Sequence, residues 1–106
     1  SVMVVKKDKS REAFDREKLL KGLLRACEKR PVPVKRLETL VDEVEATVQN
    51  LLEREVTSEA IGEMVMDRLK DIDDIAYIRF ASVYRQFRDI DSLNEEISKL
   101  MSERKG

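Results

Sequence analysis

Histidine is absent from the 106 residues, cysteine occurs once, at Cys27, and there are three glycines and two prolines. Without histidine and with a single thiol, the chain builds no Cys/His zinc site, no Ser-His-Asp or Cys-His nucleophile and no disulfide of its own. No pair of carboxylates is set apart by its context, so an enzyme is not expected. Gly22, Gly62 and Gly106 stand too far apart to write a P-loop or a dinucleotide-binding fingerprint, and any phosphate must be held another way. No apolar run approaches the roughly 20 residues that span a bilayer, and Val2 to Val5 is too short for the core of a signal peptide. A cytoplasmic protein without a membrane partner is expected. At this length one core can form but not two, which excludes a multidomain enzyme.

What the chain does have is charge: 41% of its residues, 21 basic and 22 acidic, for a net of -1. The balance is uneven. Residues 1–30 carry ten basic and five acidic side chains, and residues 31–106 carry eleven and seventeen. Lys6, Lys7, Lys9, Arg11, Lys18 and Lys21 crowd one short extended stretch and the helix after it, concentrating positive potential there. Two readings are open: a site for an anion, or a solvated lysine-rich edge that prevents strand aggregation. A sequence pI near 5.6 argues against wholesale coating of nucleic acid and favours a small polyphosphate.

Val2 to Val5 predicts a strand, Asp8-Lys9-Ser10 a turn, and Arg11 to Phe14 the returning strand of a hairpin. A two-stranded ribbon is marginal alone and needs a helical layer on its apolar face. Asp15 caps a first helix with Leu19, Leu20, Leu23, Leu24 and Cys27 at helical spacing, ended by Pro31-Val32-Pro33. From Val34 or Lys35, the stripe Leu37, Leu40, Val41, Val44, Val48 and Leu51 predicts a second helix ending near Glu53. Thr57 or Ser58 caps a third through Ile61, Met64, Val65, Leu69 and Ile72. Ile75 to Phe87 holds four of the five aromatic residues and apolar groups on several faces, so this helix should be central. Ser92 and Glu95 have capping-box spacing, and Leu93, Ile97, Leu100 and Met101 form a narrow stripe on a last helix that could detach and serve self-association. The expected fold is α+β, mostly helical: a small N-terminal β-hairpin on four to five helices, with residues 1–90 as the main domain and 91–106 as C-terminal helix and tail.

If the hairpin holds an anion, its parts can be argued singly. Lys6 and Lys7, adjacent on a strand, point to opposite faces. Lys18 lies in the first turn of a helix, where a cation is mildly unfavourable and an anion is welcomed by free N–H groups. Glu12, among lysines, is either a salt-bridge partner or a carboxylate that accepts from the exocyclic amine of a base. Val4, Phe14 and Leu19 are apolar walls for a ring or ordinary core.

Val4-Val5-Lys6-Lys7-Asp8, Glu12 to Lys18, Ala26 to Pro31, Glu55-Val56-Thr57-Ser58 with Ile61-Gly62, and Ala76 to Arg85 resemble the ATP-cone family. More narrowly, they are similar to the ATP-cone of the bacterial transcriptional repressor of ribonucleotide reductase genes. Lys29-Arg30-Pro31 and the Arg79 to Tyr84 block favour the repressor over the ATP-cone of a ribonucleotide reductase itself. The resemblance implies an allosteric site for ATP or dATP, with Mg²⁺ as an optional companion, and no catalysis. By matching positions, Lys6, Lys7 and Lys18 hold phosphates, and Glu12 and Asp15 contact the adenine edge. Val4, Phe14, Leu19 and Ile61 enclose the ring, and Ser58 and Tyr84 lie near the sugar and phosphates. Tyr84 is either the group that senses the ribose 2′-OH or a core aromatic with a wet hydroxyl. Lys9 stands where the family usually has a turn glycine, and Lys7 where arginine is common, giving a point charge in place of a fork. The repressors begin with a four-cysteine zinc ribbon that binds DNA, and no C-x-x-C occurs here, so an excised domain is expected, with zinc and DNA contact confined to the missing module. Nucleotide identity would then control the state of a homo-oligomer and, through it, DNA binding. A helical dimerisation module that binds no nucleotide is the alternative from the interaction class.

Overall fold

Three short strands and five helices make up the described residues: β1 (Met3–Val5), β2 (Arg11–Ala13), α1 (Arg16–Ala26), α2 (Val34–Gln49), β3 (Glu55–Thr57), α3 (Ser58–Leu69), α4 (Asp74–Tyr84) and α5 (Ile90–Lys105). The computed structural model describes residues 2–105; Ser1 and Gly106, the outer ends of the two predicted segments, lie outside the described residues. The architecture is the expected α+β, mostly helical one.

The hairpin pairs β1 antiparallel with β2 and sets Val4 opposite Glu12. Its loop closes through Lys6 N–H to the Ser10 carbonyl and Lys9 N–H to the Lys6 carbonyl, both at 2.9 Å. Asp8 accepts from both the hydroxyl and the backbone N–H of Ser10, which holds its carboxyl below the ordinary range. Lys9 adopts φ 74°, a left-handed position that favours glycine. Lys9→Gly is therefore expected to stabilise the chain by about 0.5–1 kcal/mol, because relief of side-chain crowding exceeds the added backbone entropy of glycine. A higher urea midpoint checks it.

The ribbon is not two-stranded. β3 pairs parallel with the free edge of β1, with Val4 beside Val56, to give the order β2-β1-β3. Three residues are too few for an alternating pattern to stand out, so Glu55–Thr57 becomes a strand only when β1 offers it an edge. The chain turns early to reach that edge: α2 ends at Gln49, not near Glu53, and leaves Leu51 and Leu52 exposed in the connection.

Leu37, Leu40, Val41, Val44 and Val48 of α2 fill the core against Leu23 of α1 and Val65 and Leu69 of α3. Helix α4 is central as expected, packing on α1, α3 and α5, but it buries Ala76, Tyr77, Phe80 and Ala81 while Ile75 and Val83 face out. It stops at Tyr84, short of Phe87, where Gln86 takes φ 49° and breaks the helix. Helix α5 starts at Ile90 because Asp89, not Ser92, caps it: Asp89 Oδ1 accepts from the Ser92 N–H at 2.8 Å and hydroxyl at 2.9 Å. It is docked, with Leu100 buried.

The Lys29-Arg30-Pro31 segment clamps the end of α1 to the start of α4. Arg30 Nε donates to both oxygens of Asp73 at 3.0 Å, while Asp73 caps α4 through the Ala76 N–H. Burial works to raise the Asp73 pKa, but these partners outweigh it and the net shift is downward. From the other side, Arg79 Nη1 donates to the carbonyls of Ala26 (3.2 Å) and Glu28 (2.6 Å). The clamp fixes the angle between α1 and α4, and between them a cavity opens.

Candidate functional site

The sheet supplies one wall of this cavity, of about 700 Å³, through Val4 and Glu12. Directly opposed residues of an antiparallel pair share a face, so Glu12 stands on the inward side of the sheet beside buried Val4. A carboxylate there is unusual, since an inward strand position normally carries an apolar group. It accepts from Lys18 Nζ at 3.1 Å. Phe14 and Leu19 close in from the start of α1, Ile61 and Ser58 from α3, and Phe80 and Tyr84 from α4.

Cations also line the cavity. Lys18, Lys21 and Arg25 recur at three and four along α1 and so share one face, with Gly22 between them leaving the surface low. Lys6 adds a charge from the end of β1, and the Arg79 side chain borders the far end where it caps α1. The cavity thus joins a largely apolar lining to a group of cations, with the carboxylates of Glu12 and Asp15 in its wall.

Of the eleven residues singled out from sequence, ten line the cavity: Val4, Lys6, Glu12, Phe14, Asp15, Lys18, Leu19, Ser58, Ile61 and Tyr84. Lys7 does not. It lies in the hairpin loop, with Lys9 near Glu59, and these two lysines, after the Ser58 hydroxyl, help hold the Glu59 carboxyl below its ordinary range. The N–H groups that open α1 are also less free than expected: Asp15 Oδ1 accepts from Glu17 N at 3.1 Å and Lys18 N at 3.2 Å, so the cap competes with any anion there. Lys21, Arg25 and Arg79 were not foreseen as lining residues. The three-and-four spacing of Lys18, Lys21 and Arg25 was visible, but only the position of α4 shows that this face looks into a cavity.

Tyr84 is seated by three contacts. Its hydroxyl donates to the Ser58 carbonyl at 2.6 Å, its ring stacks on Phe80 with centroids 5.1 Å apart, and its flat side lies against Gly62, where any Cβ would run into the ring. Burial, with Glu59 nearby, pushes its pKa up, so the hydroxyl stays protonated. With its proton given to Ser58, the oxygen can still accept.

Comparison with known proteins matches residues 2–90 to the ATP cone domain. Over 103 residues the chain is 63% identical to the transcriptional repressor NrdR of Acetivibrio thermocellus, covering 97% of this chain and 68% of that protein. It is 56% identical over 102 residues to NrdR of a Thermoanaerobacter species and 54% to NrdR of Caldanaerobacter subterraneus, in each case over 96% of this chain and 65% of the relative. The chain thus spans about two thirds of the length of the curated relatives it matches. With a domain match over nearly its whole length and repressors among its near relatives, the chain belongs to the ATP-cone family, in the form carried by the NrdR transcriptional repressors.

Proposed function

We propose that the cavity binds ATP or dATP and that the domain is the allosteric part of a repressor of ribonucleotide reductase genes. The observation that carries this is the joining, in one cavity, of a cationic edge, an apolar floor and the inward carboxylate of Glu12. A triphosphate wants the first, a purine ring the second, and an exocyclic amine the third. In this reading Lys6 and Lys18 take the phosphates, with Lys21 and Arg25 further along the same edge. Val4, Phe14, Leu19 and Ile61 enclose the ring, Glu12 and the remaining oxygen of Asp15 meet the adenine edge, and Ser58 lies by the sugar. Lys7 adds its charge from the hairpin loop, outside the cavity lining.

Lys18 is cheaply recruited. Its bond to Glu12 joins two side chains that are each about half exposed, and such pairs contribute little. Phosphate can draw Lys18 away and free Glu12 for the base. Tyr84 tells ATP from dATP as an acceptor for the ribose 2′-OH; with dATP its hydroxyl still donates to Ser58 but loses that accepted bond, a difference of about 0.5–1.5 kcal/mol.

The rest of the function belongs to the intact repressor. Two nucleotides can switch it only if they differ in affinity between two quaternary arrangements of a homo-oligomer. We assign operator contact to a zinc ribbon in the third of the relatives that this chain does not span. Among the described residues no group of three or more His, Cys, Asp or Glu could hold a metal. No helix of the described residues is long and apolar enough to cross a membrane.

Calorimetric titration with ATP and dATP, with and without Mg²⁺, tests the site; no heat of binding at millimolar nucleotide discards it. Tyr84→Phe is expected to narrow the difference in affinity between the two nucleotides while both still bind. Sedimentation with and without dATP separates a nucleotide-driven assembly from constitutive association through α5, whose Met101 and Ile90 remain exposed.

A further inference from the structure

Helix α5 is held to the body by few apolar groups: Leu100 is buried, Leu93 and Ile97 are half-buried, and the other buried residue is Glu96. A carboxylate in the middle of a docking face is costly unless it is fully paired. It is paired twice here. Tyr77 Oη on α4 donates to Glu96 Oε2 at 2.7 Å, and Arg85 Nη1, from the residue that ends α4, donates to Oε1. Through Nη2 the same guanidinium reaches both oxygens of Glu63 on α3, at 3.0 and 3.1 Å. Among the described residues Arg85 is the one cation in an ion pair with Glu96.

The neighbours of these residues face the other way. Gly62 and Tyr84 each stand one position before Glu63 and Arg85; Tyr84 lines the cavity, and Gly62 lies against its ring. One seam between α3 and α4 thus has a cavity side, Tyr84 packed on Gly62, and an α5 side, Glu63 with Arg85 and Glu96. Arg85 is bound into the last turn of α4 through its N–H to the Ala81 carbonyl at 2.8 Å, so Tyr84 and Arg85 move together.

We infer that Arg85 couples the cavity to α5: a nucleotide lodged against Tyr84 fixes the end of α4, holds Arg85 between Glu63 and Glu96, and tightens α5 on the body. This rests on the nucleotide reading of the cavity given above. The arrangement is two-state, because withdrawing Arg85 strands the Glu96 charge in a packed face, and the helix must then lift to hydrate it. Linkage makes the coupling reciprocal: whatever loosens α5 lowers nucleotide affinity by the same factor, although α5 lends no residue to the cavity.

Amide hydrogen exchange followed by mass spectrometry on the 106-residue chain, with and without saturating ATP, tests this. ATP is expected to slow exchange in β1, β2 and α1 and also across residues 90–105, there by about fivefold or more, the low end of ordinary coupling. Arg85→Met combined with Glu96→Leu replaces the ion pair by apolar contact, which keeps α5 docked and cuts the connection. That double variant should still bind ATP and still protect β1 and α1, while exchange in α5 no longer responds. Protection of the cavity elements in the original chain with no change in α5 overturns the inference and leaves the nucleotide site standing. No protection anywhere overturns both. An α5 response that survives in the double variant also overturns it, since the route through Arg85 would then be unnecessary.

Discussion

Gly62→Ala is expected to destabilise the chain by about 1–2 kcal/mol and to abolish discrimination between ATP and dATP. At an ordinary site in the middle of a helix this change helps, by up to about 1 kcal/mol, because alanine is the better helix former. Here the new methyl meets the Tyr84 ring, and a side chain forced into packed space costs about 1–3 kcal/mol. The ring has little room to yield, since Phe80 backs it and the Ser58 carbonyl holds its hydroxyl. If it leaves, both contacts go, and with them the group proposed to meet the ribose. Urea denaturation gives the sign of the effect, and calorimetry gives the two affinities. The pairing is checked by Tyr84→Ala: once the ring is removed, Gly62→Ala should turn neutral or stabilising. A gain in stability from Gly62→Ala alone would mean that the ring does not sit where described.

Lys18→Ala is expected to weaken ATP and dATP together, by about 10- to 100-fold, the loss of a hydrogen bond between charged groups worth about 1.5–3 kcal/mol. Stability should change by less than about 0.5 kcal/mol, because its pair with Glu12 is exposed. That separation of binding from folding distinguishes a phosphate ligand from a structural lysine. The salt dependence of binding should also become shallower, since one cation no longer faces the polyphosphate. Normal affinity in this variant would remove Lys18 from the phosphate assignment. Glu12→Gln makes the contrasting case: an amide both donates and accepts, so preference for adenine over guanine should fall more than affinity for triphosphate does.

The layout of the chain was legible from its residues because the relevant signals are local. Asp15 and Thr57 each cap the helix expected of them, and each does so by reaching no further than three residues along the chain. The stripe of α2 is buried as its spacing requires. Lysines gathered around the hairpin, with Glu12 among them, left an anion site and a solvated edge both open, whereas the motifs from Val4 to Arg85 pointed to the family. What the residues could not disclose depends on parts distant in sequence. Glu55–Thr57 is a strand because β1, some fifty residues earlier, presents an open edge. Lys21 and Arg25 border a cavity because Arg30 and Arg79 tie α1 to α4. Lys7 stays outside because the loop turns at Lys9. Glu96 reads as a solvated helix residue until α5 packs against Tyr77 and Arg85. Periodicity and capping are decided within a turn or two of chain, whereas a cavity and a buried charge exist only where separate segments meet, and only the folded arrangement determines which ones do.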